Sequence, residues 1–229
     1  EFGTTREQLS MVSVKNHMYG AMNPYAHLQE AITLEEAMKS VTICHPLNLY
    51  DCCPISDGAA AVILTSEEEA RKITDTPVWI AALGAASDTA MISERQALTG
   101  LVATRVAAEQ AYKMAGITPD DVDVAAVHDC FTIAEIMAYE DLGFCGKGDG
   151  GRFIEDGQSY IGGKTPVNVD GGLKSKGHPL GATGVSMTYE ITKQLRGEAG
   201  KRQVNGAQIG LTHNVGETGQ YCFVHIFQR

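Results

Sequence analysis

Apolar and polar positions along this chain switch between a helical period and short continuous runs, and the switches mark its elements. From Thr5 to Tyr19 apolar residues fall at Leu9, Met11, Val12 and Val14 behind a capping Thr4 or Thr5, which predicts a short helix. Gly20-Ala21-Met22-Asn23-Pro24-Tyr25 breaks it. Thr33 caps a second short helix, Leu34 to Lys39, and Glu35 and Glu36 in its first turn suit the positive end of the helix dipole. Two short helices joined by long irregular connections make poor core material and suggest a lid or binding insertion.

The pattern then changes. Ala59 to Leu64 is a short apolar run suited to a buried strand, and Ser66 caps a helix through Lys72. A second apolar run, Val78 to Leu83, is followed by a helix from about Thr99 to Ala115 that ends at Gly116. Val122 to Val127 reads as a strand running into His128-Asp129-Cys130-Phe131, and Thr132 to Asp141 as a helix ended by Gly143. Glycines make Gly143 to Gly172 a loop. A helix from Gly181 to Leu195 and two strands, Ile209 to Thr212 and Tyr221 to Phe227, close the chain as a hairpin. Alternating strands and helices predict a layered α/β domain with a mixed sheet. The Ala59–Leu64 run and its helix read as the remnant of a unit that begins before residue 1.

Composition narrows the class. The 229 residues suffice for one domain plus part of another. No run of about 18 apolar residues is present, so no membrane-spanning helix is expected. A net charge of −10 argues against a general nucleic-acid binder, yet leaves room for an anionic small ligand at a local cationic rim. The first residues carry neither a signal-peptide core nor an initiator Met, as in a fragment, a processed product or a trimmed chain. Six scattered cysteines suit reduced thiols in the cytoplasm better than a disulfide framework. Cys52-Cys53 after Cys44-His45 matches no usual zinc-ligand spacing, and no metal site is expected.

Three histidines carry the candidate chemistry. His178 sits between Gly177 and Pro179 before a helix N-terminus, where it could donate to a developing oxyanion or merely pack in a phosphate-cradling loop. His128 ends a strand, and the Asp129 that follows favours an exposed place at the sheet's carboxyl edge, as a ligand contact or as a group orienting the next helix. His213 ends the penultimate strand, as a proton shuttle or a turn-stabilising residue. His17, His27 and His45 read as solvated, His225 as facing solvent, and Cys130 and Cys222 as small buried apolar groups.

Together these blocks resemble the thiolases. Gly177-His178-Pro179, within Gly171-Gly172 to Gly184, matches that family's Gly-His-Pro block. His128-Asp129-Cys130-Phe131 stands for its Asn-Glu-Ala-Phe block, and His213-Asn214-Val215-Gly216 for its Cys-x-Gly block, as in the sterol-carrier-protein-type and archaeal-type members. Ser56-Asp57-Gly58-Ala59-Ala60-Ala61 resembles the segment that closes the amino-terminal domain.

The resemblance implies a thiolase-like fold with a mixed five-stranded sheet covered by helices. It assigns 1–50 to the end of a CoA-covering loop insertion, 51–75 to the close of the amino-terminal domain, and 76–229 to the carboxy-terminal domain. It implies an acetyl-CoA acyltransferase with a CoA thioester as substrate and no resident cofactor, and a homo-oligomer. His178 would donate to the thioester oxygen and help activate the nucleophile, His128 would serve the oxyanion site, and His213 would move the substrate α-proton. The family's nucleophilic cysteine lies ahead of residue 1, so this chain is expected to be inactive alone and to need the missing amino-terminal half. Glu217, where the family has a small residue, would point to solvent or raise the basicity of His213. A thiolase-like subunit that only binds an acyl-CoA or a partner remains the second reading. A ketoacyl synthase is a third, and the Gly-His-Pro block argues against it.

Overall fold

A computed structural model describes residues 1–229. Its first helix, α1 (Arg6–Gly20), opens with a capping box in which the Thr5 hydroxyl accepts from Gln8 N at 3.1 Å and the Gln8 carboxamide oxygen accepts from Thr5 N. Contrary to the expectation of poor core material, α1 is interior. Val12, Ser13, Lys15, Asn16 and His17 are all buried, so His17 is not the solvated residue its sequence context suggests. The helix is seated by polar chemistry: the Lys15 ammonium pairs with Glu135 and donates to Val167 O at 2.8 Å. Apolar spacing could not reveal that. The next elements are α2 (Leu34–Lys39), capped by Thr33 as expected, and a small hairpin of β1 (Thr42–Cys44) and β2 (Leu47–Asn48).

Ala59 to Leu64 forms no strand, which corrects the reading of that run. Ile63 is 93% and Leu64 71% exposed, and no strand of this chain pairs with the segment. An apolar run becomes a strand only where a neighbour satisfies its backbone groups. The helix α3 (Glu67–Ile73) does form behind Ser66, held by exposed i,i+4 ion pairs from Glu67 to Arg71 and Glu68 to Lys72.

The sheet contains β3 (Trp79–Ser87), β4 (Val124–Val127), β5 (Ile209–Gly216) and β6 (Tyr221–Gln228) in the order β3-β6-β5-β4. Its β3/β6 and β6/β5 pairs are antiparallel and its β5/β4 pair is parallel, so the sheet is mixed. It has four strands rather than five: beyond β4 only one residue, Val167, bridges to Ala125. The helix α4 (Val102–Ala115) covers one face with its alanines, and a Cβ on Gly84 would collide with Ala107 O, so glycine is what lets the helix sit close. On that side α5 (Thr132–Asp141) and α6 (Gly150–Glu155) complete a core with Ile136, Tyr139, Phe153, Leu211 and Val224. The other face carries α7 (Thr183–Arg196), whose Met187, Ile191 and Leu195 pack on Val124 and Ala126. The stretch 143–172, expected as loop, thus includes α6, and Gly172–Lys176 forms a π-helical turn.

Replacing Gly84 by Ala forces Cβ into the α4 backbone, and overpacking of this kind costs about 1–3 kcal/mol. Urea unfolding of Gly84→Ala is expected to show that loss with an unchanged m-value.

Candidate active site

The parallel pair β4/β5 fixes two of the three histidines. Val127 lies opposite His213, so the residue that follows β4, His128, and the next on β5, Asn214, emerge at the same sheet edge. His128 Nδ1 is 3.2 Å from Asn214 Oδ1. An amide oxygen only accepts, so Nδ1 carries the proton. Neither histidine is exposed, which corrects the sequence expectation for His128. His128 is buried, the following Asp129 is fully buried, and His213 lies inside β5 because the ladder with β6 continues to Gly216. Burial, then the charge of His178, pulls the His128 pKa down to about 4. Burial, then His128, pulls that of His213 down to about 3.

His178 reaches the same place by a different route. The π-turn before it is pinned by Asp129, whose carboxylate accepts from Leu173 N at 2.7 Å, Lys174 N at 3.3 Å and Asn16 Nδ2 at 2.8 Å. A side chain at Gly172 would collide with that carboxylate. Gly177 has φ +109°, and a Cβ there would stand 2.7 Å from Ser56 Oγ, so glycine is required on both counts. The His178 ring meets His128 edge to face with centroids 5.0 Å apart. Its Nδ1 lies 2.8 Å from Thr183 Oγ1, and the Thr183 hydroxyl donates to Pro179 O at 3.1 Å. That hydroxyl therefore accepts from Nδ1–H, which leaves Nε2 with a free lone pair. Burial holds the pKa of His178 below its ordinary value.

A cavity of about 310 Å³ opens beside His128 and His213, lined by Thr104, Phe131, Met137 and Val215 among others. A larger groove of about 740 Å³ runs past Gly177 and Pro179 between Tyr25, Ser56 and Tyr189. Glu217 is exposed at φ 56° on the rim of the smaller cavity. His27 and His45 are exposed, whereas His225 is half-buried rather than open to solvent.

The sequence reading missed the supporting polar residues. Glu135 accepts from Asn16 Nδ2 and from Asn168 Nδ2, each at 2.8 Å, and Asn168 Oδ1 accepts from Val127 N at 2.8 Å. Burial, then Glu135, pushes the Asp129 carboxyl up. Lys174 Nζ is buried with no hydrogen-bond partner, and burial lowers its pKa. Asp129 beside His128 was the one visible signal; Glu135, Asn168 and Lys174 lie near the histidines in sequence but show their role only through folded contacts, and Asn16 is distant in the chain. Burial pushes Cys130 and Cys145 up to about 12, Cys222 to about 11, and Cys52 and Cys53 in the same direction, away from an activated thiol.

Fold and site define a layered α/β domain that gathers three neutral histidines around one sheet edge. Residues 84–229 match the family model described as "Thiolase C-terminal domain-like". The chain is 56% identical over 229 residues to an acetyl-CoA acetyltransferase of Methanothermobacter thermautotrophicus, covering all of this chain and 60% of that protein. It is 42% identical over 224 residues to sterol carrier protein 2 of Bos taurus, covering 96% of this chain and 41% of the other. Among solved structures, the Ltp2-ChsH2(DUF35) aldolase superposes with a TM-score of 0.89 at 29% identity, over 99% of this chain and 59% of its own. The chain belongs to the thiolase family and spans about 60% or less of the length of these relatives. No helix is long and apolar enough to cross a membrane.

The two most depressed histidines make acid stability a test of the geometry. Their folded pKa values lie below the ordinary 6.5, so the unfolded chain binds more protons and stability falls as pH drops through 6.5. One histidine kept neutral contributes about 2 kcal/mol of loss between pH 6.5 and 5. Asp129, shifted upward, acts in the opposite sense. Comparing His213→Asn with the parent by urea unfolding at both pH values isolates the histidine, and the variant is expected to show the shallower fall.

Proposed function

We propose that this chain is the distal part of a CoA-dependent acyltransferase that makes or cleaves 3-ketoacyl-CoA by Claisen chemistry. The observation that carries the reading is the convergence of three neutral histidines, with His178 Nε2 left free by the Thr183 hydrogen bond. An imidazole in that state accepts a thiol proton and, once cationic, donates to the oxyanion of a thioester. His128, its ring centroid 5.0 Å from that of His178, contributes to the same oxyanion site by holding a water at its Nε2 lone pair, since its Nδ1–H is committed to Asn214. His213 moves the substrate α-proton in the cavity it shares with His128. The chemistry asks for no resident cofactor; CoA enters as the carrier of the substrate.

The thiol comes from outside these residues, because every shifted cysteine here is less acidic than a free one. On this reading the missing amino-terminal half supplies the nucleophile, and the chain is inactive without it. Residues 1–50 close the CoA-covering insertion, 51–75 end the amino-terminal domain, and 76–229 form the carboxy-terminal domain. The exposed Ile63 and Leu64 suit an apolar contact with that missing half. The whole protein is read as a cytoplasmic homo-oligomer of lipid metabolism. A chain that only binds acyl-CoA is the second reading, favoured by the same lack of an activated thiol. An upstream cysteine facing His178 separates the two.

In the full-length protein His178→Ala is expected to slow acetoacetyl-CoA thiolysis at least about 100-fold; near-normal turnover overturns the assignment. His213→Cys is expected to keep measurable thiolysis, since a thiol can carry the same proton. A folded but dead variant speaks against the shared role.

A further inference from the structure

Beside the histidine cluster, three thiols share the field of one orphaned cation. Lys174 is 1% exposed and its Nζ has no hydrogen-bond partner, although its backbone N–H is held by the Asp129 carboxylate. After burial, the charge of Lys174 is the strongest influence on Cys52 and Cys53, and it also reaches Cys130. A buried ammonium without a hydrogen bond is costly, and an anion formed next to it relieves that cost.

The backbone sets two of these thiols opposite one another. Cys52 and Phe131 form an isolated antiparallel bridge, and next to it Cys53 N donates to Cys130 O at 3.0 Å. Cys52 (φ −100°, ψ 143°) and Phe131 (φ −132°, ψ 152°) are both extended, so side chains alternate along each segment. Cys52 and Phe131 therefore share one face, and Cys53 and Cys130 share the other. On that second face both thiols pack against the core cluster that includes Tyr19, Val124 and Leu173. Opposed residues of a hydrogen-bonded antiparallel pair have Cα atoms about 5.5 Å apart, inside the range of about 4.4–6.8 Å that a disulfide spans. A link between the neighbours Cys52 and Cys53 is opposed by the same extended backbone, which sends their side chains to opposite faces.

We propose that Cys53 and Cys130 are a redox modification site, a dithiol that small hydroperoxides convert to a disulfide two residues beyond His128, with the Lys174 ammonium stabilising the reacting sulfur anion. Cys53 reacts first, because burial pushes Cys130 up to about 12 and leaves less of it as thiolate. The Cys53 thiolate attacks one oxygen of the hydroperoxide and the O–O bond breaks. The other oxygen leaves with the Cys53 proton, as water when the oxidant is hydrogen peroxide. Cys130 then attacks the sulfur of the Cys53 sulfenic acid, the S–O bond breaks, and the hydroxyl departs as water with the Cys130 proton. Two thiols have lost two electrons and two protons, and one hydroperoxide has been reduced. A thiol reductant reverses the step by exchange. The site stands independently of the acyl-transfer reading; on the domain division proposed above, the link joins the close of the amino-terminal domain to the carboxy-terminal domain.

The experiment treats the full-length protein with hydrogen peroxide and maps its peptides by mass spectrometry before and after dithiothreitol. A cross-linked Cys53–Cys130 peptide is expected, lighter by two hydrogen atoms than the separate peptides and lost on reduction. Cys130→Ser removes the second thiol at nearly constant shape and is expected to stop at a sulfenic acid on Cys53, trapped by dimedone. Lys174→Met keeps the length of the side chain without its charge and is expected to slow formation of the link about 10-fold. Cys53 and Cys130 both remaining free thiols, or either one linked to Cys52 instead, overturns the proposal. An unlabelled Cys53 in Cys130→Ser overturns its place as the first thiol to react, and parent-rate oxidation in Lys174→Met overturns the part given to the ammonium. Should Lys174→Met not fold, the parent peptide map and Cys130→Ser still decide whether the site exists.

Discussion

The carboxylate of Asp129 is the fixed point of the site. It follows His128 directly and closes the π-turn that leads to His178, accepting two backbone N–H groups of that turn and the amide of Asn16 from α1. One side chain thus ties a strand end, a glycine-rich turn and an early helix into a common geometry. A buried carboxylate is costly unless its oxygens are satisfied, and here both are. The demand explains why α1, with a polar inner face, is interior: Lys15 and Asn16 compensate Glu135 and Asp129 where water cannot reach. Gly172 follows from the same constraint, since a side chain there would strike the Asp129 carboxylate, whereas Gly177 answers to Ser56 and to its own positive φ.

Burial also sets the chemistry. All three histidines are held below their ordinary pKa, mainly by desolvation, so the site works with neutral imidazoles. A neutral imidazole has one donor and one acceptor, and its partner decides which nitrogen is which. Thr183 holds His178 by Nδ1, Asn214 holds His128 by Nδ1, and Thr104 holds His213 by Nε2. His213 thus differs from the other two in the nitrogen that its partner holds.

The cysteines complete the division of labour. Each one with a shifted pKa is less acidic than a free thiol, which makes these residues packing groups in the reduced protein. On the proposed reading, a histidine cluster with an open acceptor supplies one half of a covalent mechanism. The apolar segment at Ile63 and Leu64, unpaired within this chain, is consistent with the other half arriving there.

Much was legible in the chain. Helices at 132–141 and 183–196 and the closing hairpin follow from period and capping, which act over a few residues, and the Gly-His-Pro and His-Asp-Cys-Phe blocks contain two of the histidines that the fold brings together. Other features depended on partners distant in sequence. The run at 59–64 had the composition of a strand and lacked a neighbour to pair with; α1 looked peripheral by its apolar spacing and is interior through its polar side. His213 looked like a strand end until the β5/β6 ladder placed it inside. Local pattern determined which segments could be helix or strand and which residues could do chemistry. Only tertiary structure decided their burial, and with it their charge and the nitrogen each histidine offers, because desolvation and hydrogen-bond partners are properties of the folded neighbourhood.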